Sequence, residues 1–253
     1  MTSENGNDIK LRYDEDGFVV VRQWLSPGEF AELRDHVDRY IREVVPGLPD
    51  ADAFYDDKSR AETLKQMQRM EQDRYFAAYR HHPTWKAMAE ALLGESAHAD
   101  GVEWFNKPIG TDHVTPPHQD NFYFCLRPTQ VLTVWLALDP VDEENGCLRY
   151  VRGSHLQGIR PHRRTSTLGF SQEVADYGDA DRVREVPVPM EPGDVVIHHG
   201  DTIHRADANR SPTRHRRSFA MVFQGIQCRR DESAYARYLE AAQAQRQEMG
   251  LKT

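Results

Sequence analysis

The sequence predicts a mainly β protein with some α-helix, a jelly-roll barrel with N-terminal helices packed outside it. Helical patterns fill the first part of the chain, and from Ala97 onward short β segments alternate with turn residues. Many short strands at this spacing are typical of a β-sandwich or barrel. Because neither an internal repeat nor a change of composition divides the chain, we expect one domain over 1–253. Its expected parts are a helical region at about 10–96, a jelly-roll core at about 97–226 and a C-terminal helix at about 231–249.

Composition excludes several classes of function. The chain has 253 residues, of which 39% are hydrophobic and 28% charged, and its net charge is −8. Because phosphate binding needs a basic face, a net negative charge that is spread along the chain does not fit nucleic acid as the main partner. No apolar run approaches the ~18 residues that span a membrane, and the polar N-terminus lacks a signal-peptide core. Three widely spaced cysteines indicate reduced thiols. We therefore expect a cytoplasmic protein, monomeric or homodimeric, that acts on a small molecule and binds no membrane.

Capping and spacing predict the elements before Ala97. Ser26, Pro27 and Glu29 provide an N-cap, a proline at the first helical position and the acidic residue of a capping box, so a helix begins here. Its apolar residues recur at helical spacing as far as Val44. The full set is a frayed terminus over 1–9, a strand over 17–21, this helix, a helix over 61–71 and a helix over 83–93.

Seven strands are predicted in the jelly-roll core, with turn signals such as Asn145-Gly146 and Pro192-Gly193 between them. The pattern of β-branched and aromatic residues bounded by turns predicts each strand. The strands span 101–106, 121–126, 129–139, 147–151, 183–190, 194–198 and 217–225.

A candidate metal site lies in Pro117-His118-Gln119-Asp120. His118 and Asp120 are two positions apart, so on a strand both side chains point to the same face. His204 follows a buried strand and a tight turn, and it is the candidate third ligand. Two histidines and one carboxylate with open positions are typical of non-haem Fe(II) oxygenases.

Three other histidines compete with His204 for the third position: His198, His199 and His155. His198 and His199 are consecutive on one strand, so at most one of them faces inward. A structural role is the better interpretation for both.

A basic cluster before the last buried strand predicts a carboxylate site. Open metal positions admit a bidentate 2-oxo acid and then O2. The second carboxylate of such an acid needs a cation, ideally the fork of an arginine. Arg214, Arg216 and Arg217 precede the apolar run 218–223. Strand alternation places Arg216 and Arg217 on opposite faces and does not decide which of them faces inward.

An ordered set of short motifs runs from about Phe18 to Phe223. The motifs are Asn106-Lys107-Pro108; His118-Gln119-Asp120 with Tyr123-Phe124 and Arg127-Pro128; Trp135; Asn145-Gly146-Cys147-Leu148; Gly153-Ser154-His155; Pro161-His162; Gly193-Asp194; and His204 with Asn209 and Arg216. In these motifs and their order, the chain resembles the phytanoyl-CoA dioxygenase family of Fe(II)/2-oxoglutarate oxygenases.

The resemblance implies a cupin-like double-stranded β-helix. It implies that His118, Asp120 and His204 bind Fe(II), that Gln119 lies by 2-oxoglutarate, and that Trp135 lines the co-substrate pocket. Because Asp120 is present, halogenation is disfavoured, since halogenating relatives replace this carboxylate with a small residue.

The resemblance also implies an arginine for the far carboxylate of 2-oxoglutarate. Alignment through Ser218–Phe223 places it at Arg216, which we prefer, whereas counting from His204 gives His215, a poor carboxylate fork. Arg214 is the second candidate for this carboxylate.

Other co-substrate positions depart from the family pattern. An upstream lysine of some members falls near Lys65, Gln66 or Gln68, and we take Gln66 as the candidate. A small polar residue two positions after the distal histidine is Ala206 here, so its hydroxyl contact is missing. By position, the candidate substrate contacts are Phe105, Asn121, Tyr123, His155 and Arg229.

The expected activity is hydroxylation of an unactivated C–H bond of a small metabolite, with O2 consumed and succinate and CO2 released. The same chemistry gives desaturation, cyclisation or epimerisation as alternatives. A non-catalytic metal-binding barrel is less favoured because the ligands and the arginine are retained, and a zinc hydrolase lacks an HExxH motif. The identity of the substrate does not follow from the fold or the metal site.

Overall fold

A computed structural model describes residues 3–165 and 172–248 of the chain. Within these ranges the helices are α1 Ser3–Asp16, α2 Pro27–Glu43, α3 Arg74–Tyr79, α4 Pro83–Leu93, α5 Asp120–Phe124, α6 Asp179–Arg182 and α7 Glu232–Glu248. The strands are β1 Phe18–Val21, β2 Ala53–Tyr55, β3 Leu64–Met67, β4 Ala97–Lys107, β5 Thr115–His118, β6 Leu126–Arg127, β7 Val131–Ala137, β8 Leu148–Val151, β9 His162–Arg164, β10 Gln172–Val174, β11 Glu185–Val188, β12 Val195–His199, β13 His204–Ala206, β14 Arg216–Gly225 and β15 Arg229–Arg230.

Two antiparallel sheets form the body of the protein. The larger has seven strands in the order β1-β12-β7-β14-β4-β3-β2, and the smaller has four in the order β11-β8-β13-β5. An apolar cluster that includes Trp135 and Val196 of the large sheet and Leu148 and Tyr150 of the small sheet lies between them. Two sheets packed face to face over such a cluster confirm the predicted mainly β jelly-roll fold.

Helices cover the outer face of the large sheet, as predicted. Leu33 and Val37 of α2 and Trp85 of α4 belong to the same core cluster as Leu132 and Phe219 of the sheet. The capping box at the start of α2 is present, because the Ser26 hydroxyl accepts the amide hydrogen of Glu29 and the Glu29 carboxylate accepts that of Ser26. The predicted bounds of α4 are confirmed, with Gly94 in the left-handed region at its C-terminus.

Three predicted elements are wrong: the frayed N-terminus, the helix over 61–71 and the strand over 121–126. The N-terminus is helical from Ser3 rather than frayed, because buried Tyr13 anchors α1 and i,i+4 ion pairs such as Arg12–Asp8 support it. Residues 61–71 do not form one α-helix; β3 lies there between two short 3-10 turns, Ala61–Thr63 and Met70–Gln72, and it pairs with β2 as a hairpin and with β4. That pairing is between segments distant in sequence, so local spacing gives no sign of it.

Residues 121–126 are not a strand. Asp120–Phe124 forms the short helix α5, which ends where Cys125 adopts φ 55°. The C-terminal helix agrees with the prediction as far as Glu248, and Met249, its predicted end, lies outside the described residues. No helix in the described part of the chain is both long enough and apolar enough to cross a membrane. The three cysteines are free thiols.

Candidate functional site

The three predicted metal ligands lie together between the two sheets. His118 ends β5 and His204 begins β13, and the two residues are directly paired across these antiparallel strands. Asp120 opens α5, so it reaches the site from a helical turn rather than from the strand that the sequence predicts. One ligand atom from each residue lies within 4.8 Å of the other two. Asp120 Oδ1 is 3.5 Å from Nε2 of both histidines.

Backbone carbonyls orient both histidine rings. His118 Nδ1 lies 2.8 Å from the carbonyl oxygen of Pro116, and His204 Nδ1 lies 3.0 Å from that of Thr202. Because a carbonyl only accepts, each Nδ1 carries the proton and each Nε2 keeps its lone pair for a metal. Burial, with His118 and His198 nearby, holds the pKa of His204 well below its usual value, which keeps this ring neutral.

The Asp120 carboxylate is held on its other side. Thr133 donates its hydroxyl hydrogen to Oδ2 over 2.6 Å, and His198 Nε2 lies 3.0 Å from the same oxygen. Burial alone would raise the pKa of Asp120, but the surrounding histidines outweigh burial and hold it well below its usual value. The carboxylate is therefore ionised, and Oδ1 points toward the two histidines.

His198 is the site residue that sequence reasoning did not assign. Since ionised Asp120 only accepts, His198 Nε2 must carry the proton, and its Nδ1 accepts the hydroxyl hydrogen of Tyr150 over 3.0 Å. Consecutive side chains on a strand face opposite sides, so the sequence correctly predicted that at most one of His198 and His199 faces inward. No feature of the sequence distinguishes His198 from His199 or identifies the two hydrogen-bond partners of His198.

A cavity of about 370 Å³ extends from the ligand cluster. It opens between the inner faces of the sheets and reaches the C-terminal segment. Residues that line it include Lys65, Gln66, Gln68, Glu103, Phe105, Lys107, His118, Asp120, Tyr123, Thr133, Trp135, His198, His204, Arg216, Arg230, Tyr235 and Tyr238.

Arg216 is the buried cation of this cavity. Its side chain is 3% exposed, its guanidinium carbon lies 5.4 Å from the centre of the Trp135 ring, and its Nε has no hydrogen-bond partner. It forms no ion pair with any described residue. Burial lowers the pKa of Arg216 to about 10, so the group stays charged at neutral pH. A buried, charged and unpaired guanidinium fits an anion supplied from outside the protein.

The neighbouring basic residues point elsewhere. Arg214 pairs with Glu144 and, at 2.8 Å, with Asp142. Arg217 pairs with Asp139 at 2.7 Å. Neither of these arginines lines the cavity, and His215 does not line it either.

Four other predicted site residues line the cavity: Trp135, Gln66, Phe105 and Tyr123. Gln66 lies on β3 beside Phe105 of β4, and its amide nitrogen is 3.3 Å from Glu103 Oε2. Lys65 and Gln68, the alternatives to Gln66, also line the cavity.

Four predicted site residues do not line the cavity, and Gln119 and Asn121 are two of them. Gln119 does not line the cavity, because its amide group donates to the carbonyls of Gly158 and Asp201 and accepts the amide hydrogen of Arg160. The Asn121 side chain bonds both the amide and the carbonyl of Leu126. The side-chain amides of both residues thus hold loops rather than face the cavity.

Arg229 and His155 are the other two predicted site residues that do not line the cavity. The Arg229 guanidinium donates to the carbonyls of Ile226 and Cys228 in its own loop. His155 Nε2 lies 3.1 Å from the Asp14 carbonyl oxygen, against α1. Neither lines the cavity. The next residue, Arg230, lines it instead, which is a shift of one position on β15.

The sequence also gave no assignment for the acid and the lysine on β4. Glu103 and Lys107 share the facing of Phe105, so strand alternation could have found them. Burial raises the pKa of Glu103 to about 7, although its hydrogen bond with Gln66 acts in the opposite direction. Burial, reinforced by Arg216, holds the pKa of Lys107 well below its usual value.

Known proteins with the same pattern identify the family. The family model for phytanoyl-CoA dioxygenase (PhyH) matches residues 13–218. The peroxisomal phytanoyl-CoA dioxygenase of Bos taurus is 29% identical over 79% of this chain and 63% of its own length. The chain thus spans less than two thirds of the length of this curated relative.

Two solved structures share the fold at 25% identity. SnoN, a non-heme α-ketoglutarate-dependent epimerase from nogalamycin biosynthesis, has been solved with Fe³⁺, α-ketoglutarate and nogalamycin RO. That complex aligns over 89% of this chain and 85% of SnoN, with a TM-score of 0.71. SnoK, a carbocyclase from the same biosynthesis, aligns over 87% of this chain and 84% of its own, with a TM-score of 0.69. Since the family model covers most of the sequence, including all three clustered ligands, the chain belongs to the phytanoyl-CoA dioxygenase family.

Proposed function

We propose that this chain is an Fe(II)- and 2-oxoglutarate-dependent dioxygenase that oxidises a small organic molecule. The observation that carries the proposal is one cavity that holds both a two-histidine, one-carboxylate cluster and the unpaired, buried guanidinium of Arg216. A metal-binding barrel without catalysis accounts for the cluster alone. The non-catalytic interpretation leaves the charge of Arg216 buried without a partner among the described residues, which is costly unless an anion binds there.

The residues present fit both groups. Two neutral imidazoles and one ionised carboxylate are a donor set that suits Fe(II) and leaves positions for other ligands. His118, Asp120 and His204 would hold the metal, and Arg216, with Trp135 against its guanidinium, would hold the far carboxylate of 2-oxoglutarate. When bound together, iron, 2-oxoglutarate and O2 supply an oxidant strong enough to break an unactivated C–H bond, with release of succinate and CO2.

The chain's own residues contribute orientation and charge. The carbonyls of Pro116 and Thr202 fix the two imidazoles with Nε2 inward. Thr133 and His198 hold the Asp120 carboxylate ionised and stop it from rotating. Aromatic side chains such as Phe105, Tyr123 and Trp135 line the same cavity and would exclude water from the reacting centre once a substrate fills it.

Hydroxylation is the outcome that we propose. Desaturation, cyclisation and epimerisation need the same site and are the alternatives, in keeping with the epimerase and carbocyclase among the solved structures. The proposal includes a single domain that works as a monomer or homodimer in the cytoplasm, in keeping with three free thiols.

Anaerobic addition of Fe(II) and 2-oxoglutarate tests the proposal. The expected result is a weak visible charge-transfer band that requires both additions and disappears in His204→Ala. His98→Ala, which removes an exposed histidine on β4, is the matched control and should keep the band. The absence of a band from the folded wild-type protein would contradict the proposal.

A further inference from the structure

The segment after the family match contributes to the cavity. The match ends at residue 218, yet three side chains of β15 and α7 line the cavity beside the ligand cluster: Arg230, Tyr235 and Tyr238. The ligand cluster and Arg216 lie within the matched region. This part of the cavity wall is therefore a feature of this chain's own C-terminal segment.

Aromatic rings connect the metal ligands to this segment. The Tyr123 ring lies 5.8 Å from the His118 ring, centre to centre, and packs edge to face against Tyr238 at 5.5 Å. Tyr238 lies 6.0 Å from Tyr235. A continuous aromatic wall thus runs from His118 to α7. Such a wall favours a flat apolar or aromatic molecule, because stacked and edge-to-face ring contacts add to the apolar area that is buried.

Arg230 lies at the outer end of the wall. Its guanidinium carbon is 4.2 Å from the centre of the Tyr235 ring, which holds the charge at the cavity mouth. It forms no ion pair with any residue in the described ranges, although Asp231 is adjacent and pairs with Arg127 at 3.8 Å. A stacked guanidinium keeps its N–H groups free for a carboxylate or phosphate.

We propose that Arg230, Tyr235 and Tyr238 form the primary-substrate subsite, and that the substrate joins a flat apolar or aromatic body to an anionic group. The anion binds Arg230 and the body lies along the tyrosines, which directs its other end toward the ligand cluster. The inference rests on the proposed function for the identity of the chemistry at that cluster. Arg216 is not the anion site of this substrate, because it is buried at the co-substrate end of the cavity.

The test measures binding of simple probes to the full chain under anaerobic Fe(II) and saturating 2-oxoglutarate, so that Arg216 is already occupied. Benzoate and phenyl phosphate carry the two candidate anions, and benzamide is the neutral match for benzoate. Saturation-transfer NMR titrations should give tighter binding for at least one anion than for benzamide, by about tenfold. The anion that binds tighter identifies carboxylate or phosphate as the group recognised.

Two variants locate the binding. Arg230→Gln should weaken the anion by about tenfold and leave benzamide unchanged, whereas Arg229→Gln should change neither, because Arg229 bonds its own loop. Tyr238→Leu, which keeps an apolar side chain in α7, should weaken all aromatic probes. Equal binding of benzoate, phenyl phosphate and benzamide would overturn the proposal, and so would equal effects of the two arginine variants.

The two proposals fail separately. If the charge-transfer band is absent but Arg230-dependent anion binding persists, the subsite stands and the iron and 2-oxoglutarate function fails. If the band is present and Arg230→Gln changes nothing, the function stands and the subsite is wrong.

Discussion

The two ends of the cavity differ in how their charges are satisfied. At the ligand end, carbonyls receive the Nδ1 hydrogens of His118 and His204, and Asp120 Oδ2 accepts two hydrogen bonds. At the other end, Arg216 lies against the face of Trp135 and forms no ion pair with any residue in the described ranges. The fold alone therefore organises the two histidines and Asp120, whereas at the arginine end it leaves a charge for the anion that we propose.

The difference has opposite consequences for stability. Residues at the ligand end gain hydrogen bonds on folding, so removing one of them leaves its buried partner unsatisfied. Arg216 loses its hydration on folding and gains no ion pair within the part of the chain that the structure describes, so we expect it to lower the free energy of unfolding of the unliganded protein. Residues at functional sites often lower the stability of the unliganded protein in this way, because they are arranged for ligand binding.

Arg216→Met gives the largest expected effect. Removing the guanidinium should lower the affinity for 2-oxoglutarate at least about 100-fold, since hydrogen bonds to a charged group contribute roughly 1.5–3 kcal/mol each. Metal affinity should not change. The unliganded variant should also be more stable than wild type, by about 1–3 kcal/mol, because an unpaired buried charge is gone. Anaerobic calorimetric titration and urea unfolding measure the two effects.

Arg214→Met is the matched control for both measurements. It removes an arginine that is two residues away but paired with Asp142 and Glu144 outside the cavity. Its affinity for 2-oxoglutarate should stay within about twofold of wild type, and its stability should not rise. If Arg214→Met abolishes co-substrate binding and Arg216→Met does not, the contrast between the two ends is wrong.

His198→Phe tests the ligand end and should have a smaller effect. Phenylalanine keeps a ring of similar size but removes the hydrogen bond to Asp120 and leaves the Tyr150 hydroxyl without its partner. Loss of an outer hydrogen bond to a metal-ligating carboxylate typically lowers metal affinity about 10- to 100-fold, and we expect the lower end because Thr133 remains. Anaerobic Fe(II) titration measures it.

His199→Phe is the comparison for this experiment, because His199 lies on the same strand and faces away from the cavity. Its Fe(II) affinity should match wild type. Equal losses in both variants would mean that general damage to β12, and not the Asp120 contact, controls metal binding.

The sequence predicted the parts of the molecule that local rules determine. Capping and spacing predicted α2 and α4, and the order of motifs predicted the fold and the ligands that now cluster. It could not predict the β2–β3 hairpin, because the hairpin depends on pairing with β4. Gln119 and Asn121 have side chains suited to ligand binding, but the Gln119 amide donates to the distant backbone carbonyl of Asp201, and the Asn121 amide donates to the nearby carbonyl of Leu126 and to the distant carboxylate of Asp201.

The choice between Arg216 and Arg217 shows the same limit. Alternation says that one faces inward, and both are charged, so composition gives no preference. The deciding contact is the ion pair of Arg217 with Asp139, which brings together two residues far apart in the chain. The contribution of α7 to the cavity is equally invisible in sequence, since its apolar residues follow no clear stripe.

Glu103→Gln gives the smallest expected effect and tests whether the cavity wall between the two ends tolerates charge. Burial raises the pKa of Glu103 from 4.5 to about 7, so the folded protein holds a proton between these pH values that the unfolded chain has released. This stabilising contribution is complete below pH 4.5 and is lost as pH rises through 7. The full shift corresponds to about 3 kcal/mol, and water in the cavity should reduce it to about 1 kcal/mol.

Urea unfolding of the metal-free protein at pH 5, 6, 7 and 8 measures the Glu103 effect as the difference between variant and wild type. Glutamine keeps the contact with Gln66 without ionising, so the variant should gain stability relative to wild type by about 1 kcal/mol as pH rises from 5 to 8. Asp100→Asn, at an exposed position of the same strand, should show no such trend. A relative loss for Glu103→Gln at high pH would mean that ionised Glu103 has a cationic partner in the folded protein, and that the cavity wall is already balanced without a ligand.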